Sequence, residues 1–228
     1  MRMISRYCRR PFGSSSSNNA TAALNFSNLE EKADMIMKEL LSKNETVGTA
    51  ETSSGGLISA ALWSSPCGSR CFKGGGIRLA YGINRDADKK GIEEAQAVAA
   101  KWGILYENGV EQSVTGSMEH ALEIAYAAKY NLNTTWGIGE SGICGPDSHP
   151  KSMMPPGMGF VAVAGPCELT TGVIKLNPSS SRSRSENMMY FTNAALDLMN
   201  HLQQKPRLKN ACMFNMTCRL LIHKVSYV

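Results

Sequence analysis

Thr49-Ala-Glu-Thr-Ser-Ser-Gly-Gly-Leu-Ile-Ser-Ala-Ala-Leu62 is the stretch on which the fold turns. It starts at the end of a short β-branched run, Thr46–Ala50, bounded by polar residues, which reads as a strand. Glu51 to Gly56 then makes a hydroxyl- and glycine-rich turn. Leu57 to Trp63 reads as a helix, ended by Pro66. A strand passing through such a turn into a helix is a building block of layered α/β domains.

The flanking sequence supplies the remaining layers. A helix is expected over 28–43, with Ser27 as its cap, Glu30 completing a capping box, and Leu29, Ala33, Ile36, Met37, Leu40 and Leu41 on one stripe. Phe72–Ile83 (FKGGGIRLAYGI) begins with three glycines and continues with strand formers. Residues 91–102 are helical in composition. A helix over 118–130 should follow Ser117 and bury Met118, Ala121, Leu122 and Ala125. Short strands are expected at 135–140, 158–164 and 169–176, the first two separated by a Gly/Pro-rich loop, Ser141 to Gly157. The last helix, 185–204, repeats Met188, Phe191, Ala195, Leu198 and Leu202 on one face. Helices flanking several short strands argue for a three-layer α/β/α domain over 27–205.

The chain has 228 residues, 43% of them hydrophobic and 19% charged, enough to bury one good core. No apolar run approaches the ~18–20 residues that span a bilayer, so no membrane association is expected. The net charge of +5 lives in the ends: residues 1–29 hold four Arg and residues 198–228 five Lys/Arg, neither with an acid, leaving 30–197 at −4. A nucleic-acid-binding face on the domain is therefore not expected. Residues 1–26 are Arg- and Ser-rich and lack the apolar core of a secretory signal. They read as a transit peptide, mitochondrial ahead of plastid, or as a plain basic tail on a cytoplasmic protein. Residues 206–228 show neither a helical period nor a turn signal. The seven Cys form no CxxC pair and the four His no HxxxH, so free thiols and no metal site are expected.

Four segments could carry chemistry. Thr52, Ser53 and Ser54 stand where the N–H groups of a helix N-terminus converge, and Gly55 and Gly56 let a ligand approach the backbone. This suits a nucleophile with an oxyanion hole or a phosphate cradle; the plain alternative is an N-cap. No Ser-His-Asp arrangement is visible, so the base for such a hydroxyl would be a Lys aided by Tyr, in the segment Tyr81 to Lys90. That Lys must be desolvated or near another cation; Lys89 and Lys90 otherwise read as a solvated face. Glu140-Ser-Gly-Ile-Cys-Gly-Pro-Asp147 follows an apolar strand, at a sheet edge where ligands collect or as a simple turn. Ser181-Arg-Ser-Arg184 stands just before the last helix, where an Arg could hold a phosphate or carboxylate, or form a solvated basic loop.

In this order the segments resemble the CinA C-terminal-domain family, particularly its eukaryotic members. Thr49–Leu62 resembles the family's TAESCTGGL stretch, Phe72–Tyr81 its F-x-G-G…Y segment, and Glu140–Pro146 its ESG-x-AGP loop. Gly157–Ala164 resembles the strand after that loop, and Arg184-Ser-Glu-Asn-Met188 the Arg-led start of the terminal helix. The resemblance implies a mixed sheet of about five strands. It also implies a metal-independent, cofactor-free amidohydrolase that converts nicotinamide mononucleotide to nicotinate mononucleotide and ammonia, in NAD salvage. Its partner would be the small nucleotide substrate, and a homo-oligomer is compatible with it. Carried over, the nucleophile position is Thr52, with Ser53 adjacent; the Tyr is Tyr81 and the base Lys89, or else Lys90. Glu51, Ser54, Gly55, Gly56, Glu140, Ser141, Gly142 and Arg184 would bind substrate. Thr52 stands where the family has Ser, and Gly82 where it has Ser or Thr. These departures keep open a second expectation, a degenerate member that binds nucleotide or a protein partner without turnover.

Overall fold

A computed structural model describes residues 25–77, 85–101, 115–150, 153–179 and 181–205. The elements run α1 (Phe26–Ser42), β1 (Val47–Glu51), α2 (Leu57–Ser64), α3 (Gly68–Cys71), β2 (Phe72–Ile77), α4 (Arg85–Lys101), α5 (Met118–Asn131), β3 (Trp136–Gly142), β4 (Gly159–Ala164), a 3-10 turn (Glu168–Thr170), β5 (Gly172–Leu176) and α6 (Arg184–Gln203). The strands form one sheet in the order β2-β1-β3-β4-β5. β1 is parallel to β2 and β3, whereas β4 is antiparallel to β3 and β5, so the sheet is mixed.

Strand alternation sorts the helices into two layers. Val47, Trp136, Ile138, Val161 and Val163 face the larger core, filled by Leu29, Ile36 and Leu40 of α1, Ile58 and Leu62 of α2, and Phe191 and Met199 of α6. The intervening Phe160, Ala162 and Ala164 face the other way, onto Ala121, Leu122 and Ala125 of α5 and Ala95 and Val98 of α4. The result is α/β/α, as expected. The α5 layer lies very close to β3: a Cβ on Gly139 would stand 2.2 Å from the Ala121 carbonyl oxygen.

Several element ends differ from the sequence expectation, each for a local reason. α1 is capped by Asn25, paired reciprocally with Asn28, not by Ser27 with Glu30. Asn is as good a cap acceptor as Ser, so the helix starts earlier. α4 starts at Arg85, six residues before the expected 91, because its first turns are charged and lack the apolar period that marks a buried helix. Ser117 does cap α5, accepting from the His120 N–H. β3 continues through Ser141 and Gly142, held by pairing with Phe160 and Gly159. Leu169 and Thr170 belong to the 3-10 turn, so β5 begins only at Gly172. Residues 78–83 of the expected second strand lie outside the described residues, as do 1–24 and 206–228.

Candidate active site

The site follows from the topology. β1 hands the chain through α2 to β2 on one side, while β3 lies on the other side of β1 and hands it on to β4. Their carboxyl ends therefore flank a topological switch point, where open α/β sheets leave a crevice. Glu51 ends β1 and Glu140 lies near the end of β3. In strand alternation both share the face of Val47 and Ile138, toward α2 and α6.

Glu51 is fully buried and caps the start of α2. Its Oε2 accepts from the N–H of Gly56 (3.0 Å) and of Ile58 (3.1 Å), and its Oε1 from the N–H (2.8 Å) and hydroxyl (2.5 Å) of Ser59. A helix N-terminus favours such a charge. The turn that bends the chain back onto Glu51 needs left-handed backbone at Gly55 (φ 64°) and Gly56 (φ 93°), which glycine adopts without a Cβ penalty.

Glu140 is the second fully buried carboxyl. Its Oε2 accepts from the N–H of Thr52 (3.0 Å) and of Ser54 (2.8 Å). Its Oε1 has no hydrogen-bond partner among the described residues. Burial pushes the Glu140 carboxyl up to about 7, reinforced by the nearby Glu51 and opposed by the hydrogen bonds from Ser54 and Thr52. The Ser54 hydroxyl lies between the two acids, 2.8 Å from Glu51 Oε2 and 2.8 Å from Glu140 Oε2.

The other two hydroxyls turn toward the end of β3. Thr52 Oγ1 donates to the Glu140 carbonyl at 3.2 Å and accepts from the Gly142 N–H at 3.3 Å. Ser53, half-buried, donates to the Gly142 carbonyl. On the opposite face of β3, Ser141 Oγ accepts from the Gly116 N–H (2.7 Å) and lies 2.7 Å from His120 Nδ1, both Ser141 and His120 being buried.

A family model described as "CinA C-terminal domain" matches residues 29–203, nearly all of this fold. The chain belongs to the CinA C-terminal domain family. A CinA-like protein of Prochlorococcus marinus is 30% identical over 165 residues, 72% of this chain but 34% of that protein. One from Frankia casuarinae is 27% identical over 168 residues, 74% of this chain and 34% of the relative. The chain thus spans about a third of the length of these bacterial relatives. Two solved structures share the fold. The competence/damage inducible protein CihA of Agrobacterium tumefaciens has a TM-score of 0.56 at 23% identity, covering 78% of this chain and 96% of that one. The competence damage-inducible protein A (ComA) of Klebsiella pneumoniae has a TM-score of 0.60 at 16% identity, covering 77% and 98%.

Within this CinA domain, Glu51, Thr52, Ser53, Ser54, Gly56, Glu140 and Gly142 come together in one hydrogen-bonded cluster, with Gly55 forming its turn. The N–H groups expected to face a ligand face internal carboxylates. Ser141 borders the cluster from the other side of the sheet. Arg184 donates to the Gly145 carbonyl, tying the start of α6 to the loop after β3. Lys89 projects from α4 with its side chain 75% exposed and its Nζ 4.0 Å from Glu93. No bond in the described residues joins it to the turn. Lys90 lies 4.7 Å from the Tyr130 ring centroid, a cation–π distance. Tyr81 and Gly82 lie outside the described residues. One residue escaped sequence reading. His120 is the third residue of a correctly placed helix, and its position near a cap was the available signal. Arg182, within the Ser181–Arg184 segment expected to hold an anion or be solvated, instead packs 3.8 Å over the Tyr190 ring and donates to Asn187 Oδ1 (2.9 Å) and the Asn177 carbonyl (2.8 Å). Among the described residues no group of three or more His, Cys, Asp or Glu could hold a metal ion.

Proposed function

We infer that this CinA-domain protein is an amidohydrolase acting on the carboxamide of nicotinamide mononucleotide, releasing nicotinate mononucleotide and ammonia. The observation that carries the reading is the meeting of three hydroxyl side chains and two buried carboxyls at the switch point between β1 and β3, in the segments where the chain resembles the family's amidases. In this reading Thr52 Oγ1 adds to the carboxamide carbon and passes its proton to a base, a role that Lys89 does not fill in this structure, where its side chain is 75% exposed and its Nζ 4.0 Å from Glu93. The proton leaves with the amine as ammonia, and water then cleaves the acyl ester. Thr52 suits this role better than Ser54. Its two hydrogen bonds are at the long end of the range, whereas Ser54 is fully buried between two acids. Ser53 is the more accessible alternative.

One observation favours a second reading. Five N–H groups of the turn and of α2, those of Thr52, Ser54, Gly56, Ile58 and Ser59, already meet internal carboxylates. With these donors engaged, none of the five is open to an oxyanion, which suits a member that binds its ligand elsewhere or a protein partner without turnover. Incubating the full chain with nicotinamide mononucleotide, with and without a chelator, separates the two. The amidase reading expects ammonia above a heat-killed control and indifference to the chelator. Binding by calorimetry without ammonia would leave the second reading standing.

A further inference from the structure

Ser54 has one hydroxyl proton and two carboxyl neighbours. Its Oγ is 2.8 Å from Glu51 Oε2 and 2.8 Å from Glu140 Oε2. Were both acids ionised, one of these contacts would set a hydroxyl lone pair against an anionic oxygen, so the geometry calls for one more proton. Glu51 meets three backbone N–H groups and the Ser59 hydroxyl at the head of α2, using both of its carboxyl oxygens. Glu140 is served on Oε2 alone. Its Oε1 is buried without a partner among the described residues, beside the Phe191 ring: the point where a Gly142 Cβ would stand is 3.0 Å from Oε1 and 2.9 Å from that ring.

No cation reaches Glu140 from the surrounding described elements. β1 brings Glu51. α2 brings N–H groups and Ser59. α6 brings Phe191, while its Arg184 is turned to the Gly145 carbonyl and Arg182 to Asn187 and Asn177. His120 of α5 lies across the sheet on Ser141, and Glu123 belongs to the same helix.

We propose that Glu51, Ser54 and Glu140 share a single dissociable proton, which makes Glu140 the positioning acid of the turn. When neutral, it holds the Thr52 and Ser54 N–H groups weakly and yields them to an oxyanion or an anionic ligand. When ionised, it keeps them. The raised Glu140 carboxyl, at about 7, puts this exchange near neutrality. The role in turnover rests on the amidase reading; the shared proton does not.

The test uses the full chain. Infrared difference spectra across a pH titration should show a protonated-carboxyl C=O band on the acid side that is lost through neutrality. The band should be absent in Glu140→Gln, and its midpoint should fall in Glu51→Gln, where the like charge is gone. Absence of the band in the parent, or its survival in Glu140→Gln, overturns the proposal. Should Glu140→Gln fail to fold, an unchanged midpoint in folded Glu51→Gln overturns it equally. In the ammonia assay the parent's rate should fall as pH rises through neutrality, and Glu140→Gln should lack that limb. A variant that keeps the limb rules out the positioning role. No turnover in any variant, with the infrared titration intact, removes the amidase reading and leaves the shared proton established.

Discussion

A carboxyl that folding pushes up to about 7, from an ordinary 4.5, binds its proton more tightly in the folded chain than in the unfolded one. Its contribution to stability is fully present below about 4.5 and is lost as pH rises through about 7. A shift of this size corresponds to about 3 kcal/mol. Glu140→Gln is neutral throughout, so thermal unfolding should show it more stable than the parent on the alkaline side, with the gain vanishing toward acid. A gain of the same size at every pH would mean that packing, not ionisation, is responsible. The hydroxyls allow a sharper test. Thr52 and Ser53 are adjacent but bond to different atoms of β3, so only one can be in line with a bound carboxamide. Thr52→Ala should lower ammonia release by at least about 100-fold, and Thr52→Ser should preserve or raise it by removing the methyl that stiffens χ1. Loss in Ser53→Ala with a normal Thr52→Ala would move the nucleophile by one residue.

At the scale of elements, Glu51 and Ser183 cap helices in different surroundings. Ser183 heads α6 at the surface, in a capping box with Glu186, whereas Glu51 meets the N–H groups of α2 inside the protein. Water can replace the first and not the second. Urea denaturation should therefore give Ser183→Ala a loss of about 1 kcal/mol, and Glu51→Ala at least about 2 kcal/mol. Equal losses would show that α2 recruits water. The same contrast explains what the sequence disclosed. The Ser117 cap, the α6 stripe and the turn after β1 are local patterns of residue type, and each was legible. The earlier start of α4 was not, since a charged helix surface carries no apolar period. The cluster itself was legible only in parts. Glu140 and Ser54 were both named, but their bond joins residues 86 apart in sequence, and no spacing rule connects them. The pairing of Ser141 with His120 depends likewise on how far α5 settles onto β3. That depth needs both Gly137 and Gly139, where a Cβ would stand 2.0 Å from the Ala125 and 2.2 Å from the Ala121 carbonyl oxygen. Gly139→Ala would drive its Cβ into the Ala121 carbonyl and should destabilise the fold by about 1–3 kcal/mol.

Over the whole molecule, charge is segregated: residues 30–197 carry −4 while nine positive charges and no acid lie outside them. The basic residues at the start of the sequence lie outside the segments that form the candidate site, so the N-terminal set asks for a separate explanation. We propose that residues 1–26 address the protein to an organelle. Arg2, Arg6, Arg9 and Arg10 stand among serines, with no acid before Glu30. A positive segment entering a compartment at negative potential is drawn inward by about 2.3 kcal/mol per charge for each 100 mV, and neutralising the arginines would remove that pull. Residues 1–26 fused ahead of a fluorescent protein should therefore concentrate it in mitochondria. The same fusion with all four arginines replaced by serine should be diffuse. Plastid fluorescence would change the address and keep the explanation. Diffuse fluorescence from the unaltered fusion would sink it, leaving a basic tail that must be accounted for by something it binds.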